Sequence, residues 1–208
     1  MPVARPNQLV EVYGTLHNGA DYTIQSYPNY KAYRDRASEA FAGMIAYRFA
    51  PISMSHGGTS ERIWGYLTDS KLRGQWLASG AMEMKVGAPF ELVWRNNELT
   101  DPPGQRPEGF GEEHRMQSRI TELDPPRKIS FTWQNSGDVT FELEPKDDKV
   151  LLTVTHRRLP DRRTMLMVGP GWHMHLDVLV ARVTGAETGP FWDGWLRLQK
   201  EYAERLPA

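Results

Sequence analysis

The chain has 208 residues, 39% of them hydrophobic and 25% charged, with a formal net charge of −1 and no cysteine. That composition suits one globular domain with its own core plus an appendage. It excludes disulfides, thiol catalysis and cysteine-based zinc sites, and near-neutrality supplies no field of one sign to gather nucleic acid or an anionic membrane.

Residues 1–58 are irregular in pattern, with turn-rich pieces at His17-Asn18-Gly19 and His56-Gly57-Gly58. Residues 29–41 predict an amphipathic helix carrying Tyr30, Tyr33, Ala37 and Phe41 on one stripe. Residues 46–54 read as a strand, and Pro51 argues for an edge position because proline cannot donate to a ladder. Residues 1–10 lack the basic-then-apolar order of a signal peptide. No apolar run approaches the roughly 18 residues that span a bilayer. The expectation is a soluble, cytoplasmic protein with no membrane or nucleic-acid partner.

After Gly58 the signals sharpen. Thr59 or Ser60 can cap a helix that buries Ile63, Trp64 and Leu67, and Asp69 or Ser70 can cap a short second helix with Leu72, Trp76 and Leu77. Strands of period two follow, each with an inner row. These rows are Met82, Met84 and Val86; Phe90, Leu92 and Trp94; Met116, Ser118 and Ile120; Ile129, Phe131 and Trp133; Val139, Phe141 and Leu143; and Val150, Leu152, Val154 and His156. Turns at Asp124-Pro125-Pro126, Asn135-Ser136-Gly137 and Lys146-Asp147-Asp148 are too short for parallel crossovers, so an antiparallel meander is predicted. The Pro- and Gly-rich connection over 96–111 is expected to form a mobile flap or rim.

From Gly171 the period becomes 3.6. Trp172, Leu176, Leu179 and Val183 lie on one face of a helix entered after Pro170, and Pro190 can start a last helix burying Phe191, Trp195, Leu198 and Tyr202. The basic cluster of Arg157, Arg158, Arg162 and Arg163 is read as a solvated loop. Neither the sheet nor the helices can bury an apolar face alone, so the helices pack on the concave side of the sheet.

Several runs resemble a known family. Glu61-Arg62-Ile63-Trp64-Gly65-Tyr66-Leu67-Thr68-Asp69, with Leu72 and Trp76, is similar to the opening helices of the SRPBCC (Bet v 1/START-like) superfamily. More narrowly it resembles the branch named for the activator of Hsp90 ATPase homologue 1. Glu122-Leu123-Asp124-Pro125-Pro126-Arg127, Phe131-Thr132-Trp133, Val139-Thr140-Phe141-Glu142-Leu143, Leu152-Thr153-Val154-Thr155-His156 and Gly171-Trp172-His173-Met174-His175-Leu176 extend the likeness over about 61–206. The resemblance implies an α+β helix-grip fold: a curved antiparallel sheet, seven-stranded in the family, around a long C-terminal helix over an apolar cavity.

Residues 9–66 resemble a different family, the periplasmic domain of macrolide-exporter-type ABC permeases. The matching runs are Ser26-Tyr27-Pro28-Asn29-Tyr30, Tyr33-Arg34-Asp35-Arg36, Phe41-Ala42-Gly43 and Ala46-Tyr47-Arg48-Phe49-Ala50-Pro51-Ile52-Ser53. This implies a fusion: an N-terminal extension over 1–45 and a domain over 46–208. Residues 46–54 would then supply the family's first strand, pairing with 150–156. Self-association as a homodimer through the extension is the one macromolecular partnership it suggests.

The inner rows hold few polar groups. Glu112, His114, Ser118 and His156 share the inward parity, and His175 approaches from the helix. A buried polar group without a partner costs about 1–3 kcal/mol, so such residues meet each other, water or a guest. One reading is a pocket for a small apolar or amphipathic molecule, lined by Trp94, Met116, Ser118, Phe131, Trp133, Phe141, Trp172, His175 and Leu179. A second is a cavity enzyme of hydrolase or cyclase type, with His156, His114 and Glu112 moving protons. A third, suggested by the family name, is an Hsp90-type co-chaperone or interaction module, although nothing in the chain resembles the co-chaperone's additional Hsp90-binding domain. The bland alternative puts Glu112 and His114 in solvent at a strand end and makes His156 structural. No histidine pair has i, i+4 spacing, and His173 and His175 face different ways on a helix, so neither a metal site nor a cofactor is expected.

Overall fold

The computed structural model describes residues 49–53, 60–133, 137–146 and 149–205. The predicted helix at 29–41, the turns at 17–19 and 56–58, and the extension over 1–45 lie outside the described residues. Among the described residues no helix is long and apolar enough to cross a membrane.

The fold is α+β. Six strands form one antiparallel sheet: β1 (Phe49–Ser53), β2 (Pro89–Trp94), β3 (His114–Asp124), β4 (Lys128–Trp133), β5 (Gly137–Lys146) and β6 (Lys149–Arg157). Their order is β1-β6-β5-β4-β3-β2. β1 pairs with β6 at the edge, Pro51 opposite Leu151 and Ile52 opposite Val150. That is the pairing anticipated for 46–54. A register shift between Ile120 and Glu122 breaks the β3–β4 ladder and curves the sheet.

Inward residues alternate as read from the sequence. Leu92, Ile120, Ile129, Phe131, Val139, Phe141 and Leu152 are all buried. Over this face lie α3 (Arg162–Thr184) and α4 (Phe191–Arg205), while α1 (Ser60–Thr68) and α2 (Ser70–Arg73) precede the meander. Asp69 caps α2 by accepting from the backbone N–H groups of Lys71 and Leu72, each at 2.9 Å. The sheet thus grips a long C-terminal helix.

Three expectations are corrected. Residues 81–88 are not a strand: Ser79 bridges Val93 once, Gly80 then turns the chain at φ 125°, and Met84 and Val86 face solvent. The carbonyl of Gly80 is held by Arg73, a guanidinium wholly buried in the bend and bonded also to Thr68 O (2.9 Å) and Ala78 O (3.0 Å). The meander therefore holds five strands, β2 to β6, and the sheet six with β1, among the described residues.

Second, α3 starts at Arg162, not after Pro170. Asp161 is its cap, accepting from Thr164 N at 2.7 Å, and Arg162 and Arg163 belong to its first turn. The Gly169-Pro170-Gly171 run is instead where α4 comes close. A Cβ at Gly169 would sit 3.0 Å from the Tyr202 ring, and one at Gly171 would sit 3.9 Å from the Trp195 indole. Proline at a helix interior loses one backbone bond. Close packing of two helices is the local return.

Third, the 96–111 connection is a fastened rim, not a loose flap. Thr100 Oγ1 accepts from Phe191 N at 3.0 Å, and Pro103 O accepts from Trp192 N at 2.9 Å. The Phe110 ring lies 5.1 Å from both Trp192 and Trp195.

Candidate functional site

The sheet–helix interface changes character along its length. At one end Leu67, Trp76, Phe141, Val178, Leu179 and Phe191 are buried. His175 is buried with them, and its Nδ1 lies 2.7 Å from Trp76 O. A carbonyl only accepts, so Nδ1 carries the proton. The ring lies 4.9 Å from Phe191, and burial pushes its pKa down to about 4. His175 is a strut between α3 and the chain after α2, and Leu179 is core.

At the other end the rings are incompletely covered. Trp133 and Trp172, 5.5 Å apart, are half-buried, as is His156. His156 comes from β6, where its partner is Val139, and its ring lies 4.9 Å from Trp133. Trp172 on α3 donates its Nε1–H to His156 Nδ1 at 3.1 Å. Indole nitrogen can only donate, so Nδ1 is the unprotonated nitrogen and the neutral ring carries its proton on Nε2. That Nε2 is buried and finds no hydrogen-bond partner. Ser60 Oγ, Asn96 Oδ1 and Arg106 Nη1 share this condition among the described residues, but only His156 belongs to the aromatic row.

Desolvation lowers the His156 pKa to about 4, outweighing the opposing pull of the Asp138 carboxylate. Asp138 is itself engaged by Arg158 at 2.6 Å and Arg157 at 3.7 Å. His156 is thus a neutral donor at pH 7. Gly137, across the ladder, leaves the ring room: a Cβ there would stand 3.1 Å from Nε2 and 3.3 Å from the Trp133 side chain.

The remaining expected lining residues divide. Trp94 is buried and lies 5.5 Å from Trp133, and Phe131 meets Phe141 edge-on at 5.6 Å. Met116 is buried on the same face, while Ser118 Oγ is already spent on Thr132 O at 2.7 Å. The three proposed proton carriers do not assemble. Glu112 is exposed and faces Arg106 at 3.8 Å, and His114 is exposed against Trp94 at 5.5 Å. Ring contacts run His114–Trp94–Trp133–His156, and no hydrogen bond or ion pair joins any two of the trio among the described residues. Glu112 precedes β3 and has no strand parity, whereas His114 keeps the parity of Met116 and Ser118 and lies beside Trp94 but is exposed because the strand begins there.

Asp138 was not singled out in the sequence, although its register opposite Arg157 was available once the β5–β6 turn was placed. An open groove of about 870 Å³ lies elsewhere, between Leu99, Thr100 and Asp101 and the C-terminal end of α3 at Arg182 and Gly185. Arg182 there donates to Leu99 O at 3.0 Å. None of the groove's lining atoms is among the unpartnered ones.

The family model described as activator of Hsp90 ATPase homolog 1-like protein matches residues 58–184. A Bordetella parapertussis protein solved by NMR is 28% identical, with a TM-score of 0.63, covering 79% of this chain and 97% of its own. CalU16 from Micromonospora echinospora is 17% identical at a TM-score of 0.54, over 78% of this chain and 98% of its own. A conserved Enterococcus faecalis protein of unknown function is also 17% identical at 0.54, over 76% and 81%. At that identity the last two speak for the fold alone. No curated protein matches the chain.

Proposed function

Because this chain belongs to the activator of Hsp90 ATPase homolog 1-like family, we propose that it uses the helix-grip fold to hold a small apolar or amphipathic molecule between the sheet and α3. The observation that carries the reading is the half-open aromatic end. Trp133, Trp172 and His156 stand between sheet and helix, where a finished core would bury them, and the buried Nε2 of His156 has no partner. Apolar walls with one convergent polar group are the ordinary build of a small-molecule site. The guest would lie against Trp94, Trp133 and Trp172, with Phe131, Phe141 and Met116 behind them.

Acid–base catalysis has less support, since Glu112 and His114 lie in solvent away from His156. We further read residues 1–45 as an appended segment of separate, permease-like ancestry. The family match beginning at 58 and the incorporation of 49–53 into the sheet support a domain over 46–208.

Native mass spectrometry of protein purified from cells tests the binding reading. A 1:1 adduct of a small molecule, released on denaturation, is expected. Titration with 8-anilinonaphthalene-1-sulfonate should saturate and quench the indoles. A bare mass together with no saturable fluorescence change would refute it.

A further inference from the structure

Beside β2, the last strand in the sheet order, we propose that the exposed turn over 82–86 is the contact through which two copies of this chain associate weakly about a two-fold axis. Met84 and Val86 are two of the three large apolar side chains left exposed among the described residues, and Met167 on α3 is the third. Apolar residues exposed singly are ordinary. Two on one short turn, with Lys85 between them, call for a reason.

The turn is held at both ends. Met82 Sδ accepts from the buried Arg73 at 3.2 Å. Gly87 gives its N–H to Ile120 O on β3 at 2.8 Å and accepts at its carbonyl from Arg119. Between these anchors the Lys85 N–H returns to Glu83 O at 2.7 Å, a three-residue turn with Met84 at its apex. The apolar surface is therefore preformed, and covering it costs little further ordering.

Backbone pairing at this edge is closed to an incoming strand. Ser79 already exchanges both backbone bonds with Val93, Gly80 lies against the Glu91 carbonyl, and Pro89 has no N–H to give. A partner must therefore meet side chains. In chain order these are an acid, an apolar residue and a base: Glu83, Met84 and Lys85. Neither charge takes part in an ion pair among the described residues.

A two-fold axis through Met84 sets Glu83 of each copy against Lys85 of the other and Met84 against its own twin. That is the self-complementarity an isologous contact requires. A strongly basic or acidic partner would satisfy one charge and repel the other, and a lipid surface would have to desolvate Glu83. With a net charge of −1, two copies repel each other little. Two partly exposed side chains fall far short of the ~800 Å² that each partner buries in a stable dimer, so the association is weak.

Sedimentation equilibrium of the full chain, from about 10 µM to about 1 mM, should show a reversible monomer–dimer equilibrium with a Kd on the order of 100 µM. Lys85→Glu puts carboxylates on both sides of the axis and should weaken the dimer about tenfold. Adding Glu83→Lys to that change exchanges the two signs and should return the Kd to within about twofold of wild type. Met84→Ser should weaken it about fivefold. All three side chains are exposed, so the variants keep their fold. A chain that stays monomeric at about 1 mM overturns the proposal. A dimer indifferent to Lys85→Glu also overturns it, since association then uses another face. Failure of the exchanged pair to rescue overturns the charge pairing at the axis. A monomer that co-sediments with phosphatidylserine vesicles would assign the turn to a lipid surface instead.

Discussion

Two histidines sit at the two ends of one sheet–helix interface and differ in what their second nitrogen does. His175 lies in the sealed end, its Nδ1–H given to Trp76 O, whose own indole N–H is given to Tyr66 O at 2.8 Å. Beside it the guanidinium of Arg73 is surrounded by backbone carbonyls. There the buried polar groups are matched within the protein, as a folded core requires. His156 lies in the half-open end, and its proton-bearing Nε2 is buried beside Gly137 with no hydrogen-bond partner. Burial lowers both pKa values alike, so titration does not tell strut from site. Hydrogen-bond bookkeeping does.

If the sealed end is structural, damage there must unfold the protein. Gly80→Ala should have the largest effect. A Cβ at that residue would overlap the carbonyl oxygen of Glu91, at a φ of 125° that side chains avoid, so a loss of about 4 kcal/mol or more is expected. Arg73→Met strands the carbonyls of Thr68, Ala78 and Gly80 and should cost about 3–5 kcal/mol. Chemical denaturation followed by circular dichroism checks both. A wild-type midpoint in either would mean the bend is not the keystone described.

Acid should act at both ends. Each histidine titrates near 6.5 when unfolded and at about 4 when folded, so between those values the unfolded chain binds more protons. The stabilisation is complete above pH 6.5 and is lost as pH falls toward 4, by up to about 3 kcal/mol per ring. His175→Phe should flatten that window by roughly half. It should also cost about 2 kcal/mol at neutral pH, because Trp76 O then loses its donor. A melting temperature constant from pH 7 to 4.5 would contradict both assignments.

The comparison also explains what the sequence disclosed. Strand parity is a two-residue signal, and Leu92, Ile120, Phe131, Phe141 and Leu152 all appear on the face that alternation assigned them. Parity failed at Met84 and Val86, where Gly80 and Gly87 turn the chain before any partner strand is met. Pro170 misled because a proline inside a helix removes one backbone bond without having to end it, and the cap that starts α3, Asp161, lies nine residues upstream. Arg73 had no local signature, since its acceptors are backbone carbonyls that only the folded bend gathers. At the site, the presence of His156, Trp133 and Trp172 was legible but their roles were not. Which nitrogen of His156 is engaged depends on Trp172 arriving from another element, and Glu112 and His114 shared a parity without sharing a strand.

The smallest expected effect is the sharpest discriminator. His156→Phe removes the unsatisfied Nε2 donor, which costs free energy in the unliganded protein, and leaves an apolar ring among apolar rings. It also withdraws the acceptor of the Trp172 indole, but Trp172 is half-exposed and water can replace it. The two changes oppose each other, so unfolding free energy should stay within about 1 kcal/mol of wild type and can rise. The same substitution at His175 should lose about twice that. If His156→Phe proved as damaging as His175→Phe, both histidines would be struts. A silent change in stability accompanied by weakened guest binding would mark His156 as the group the fold keeps for something other than itself.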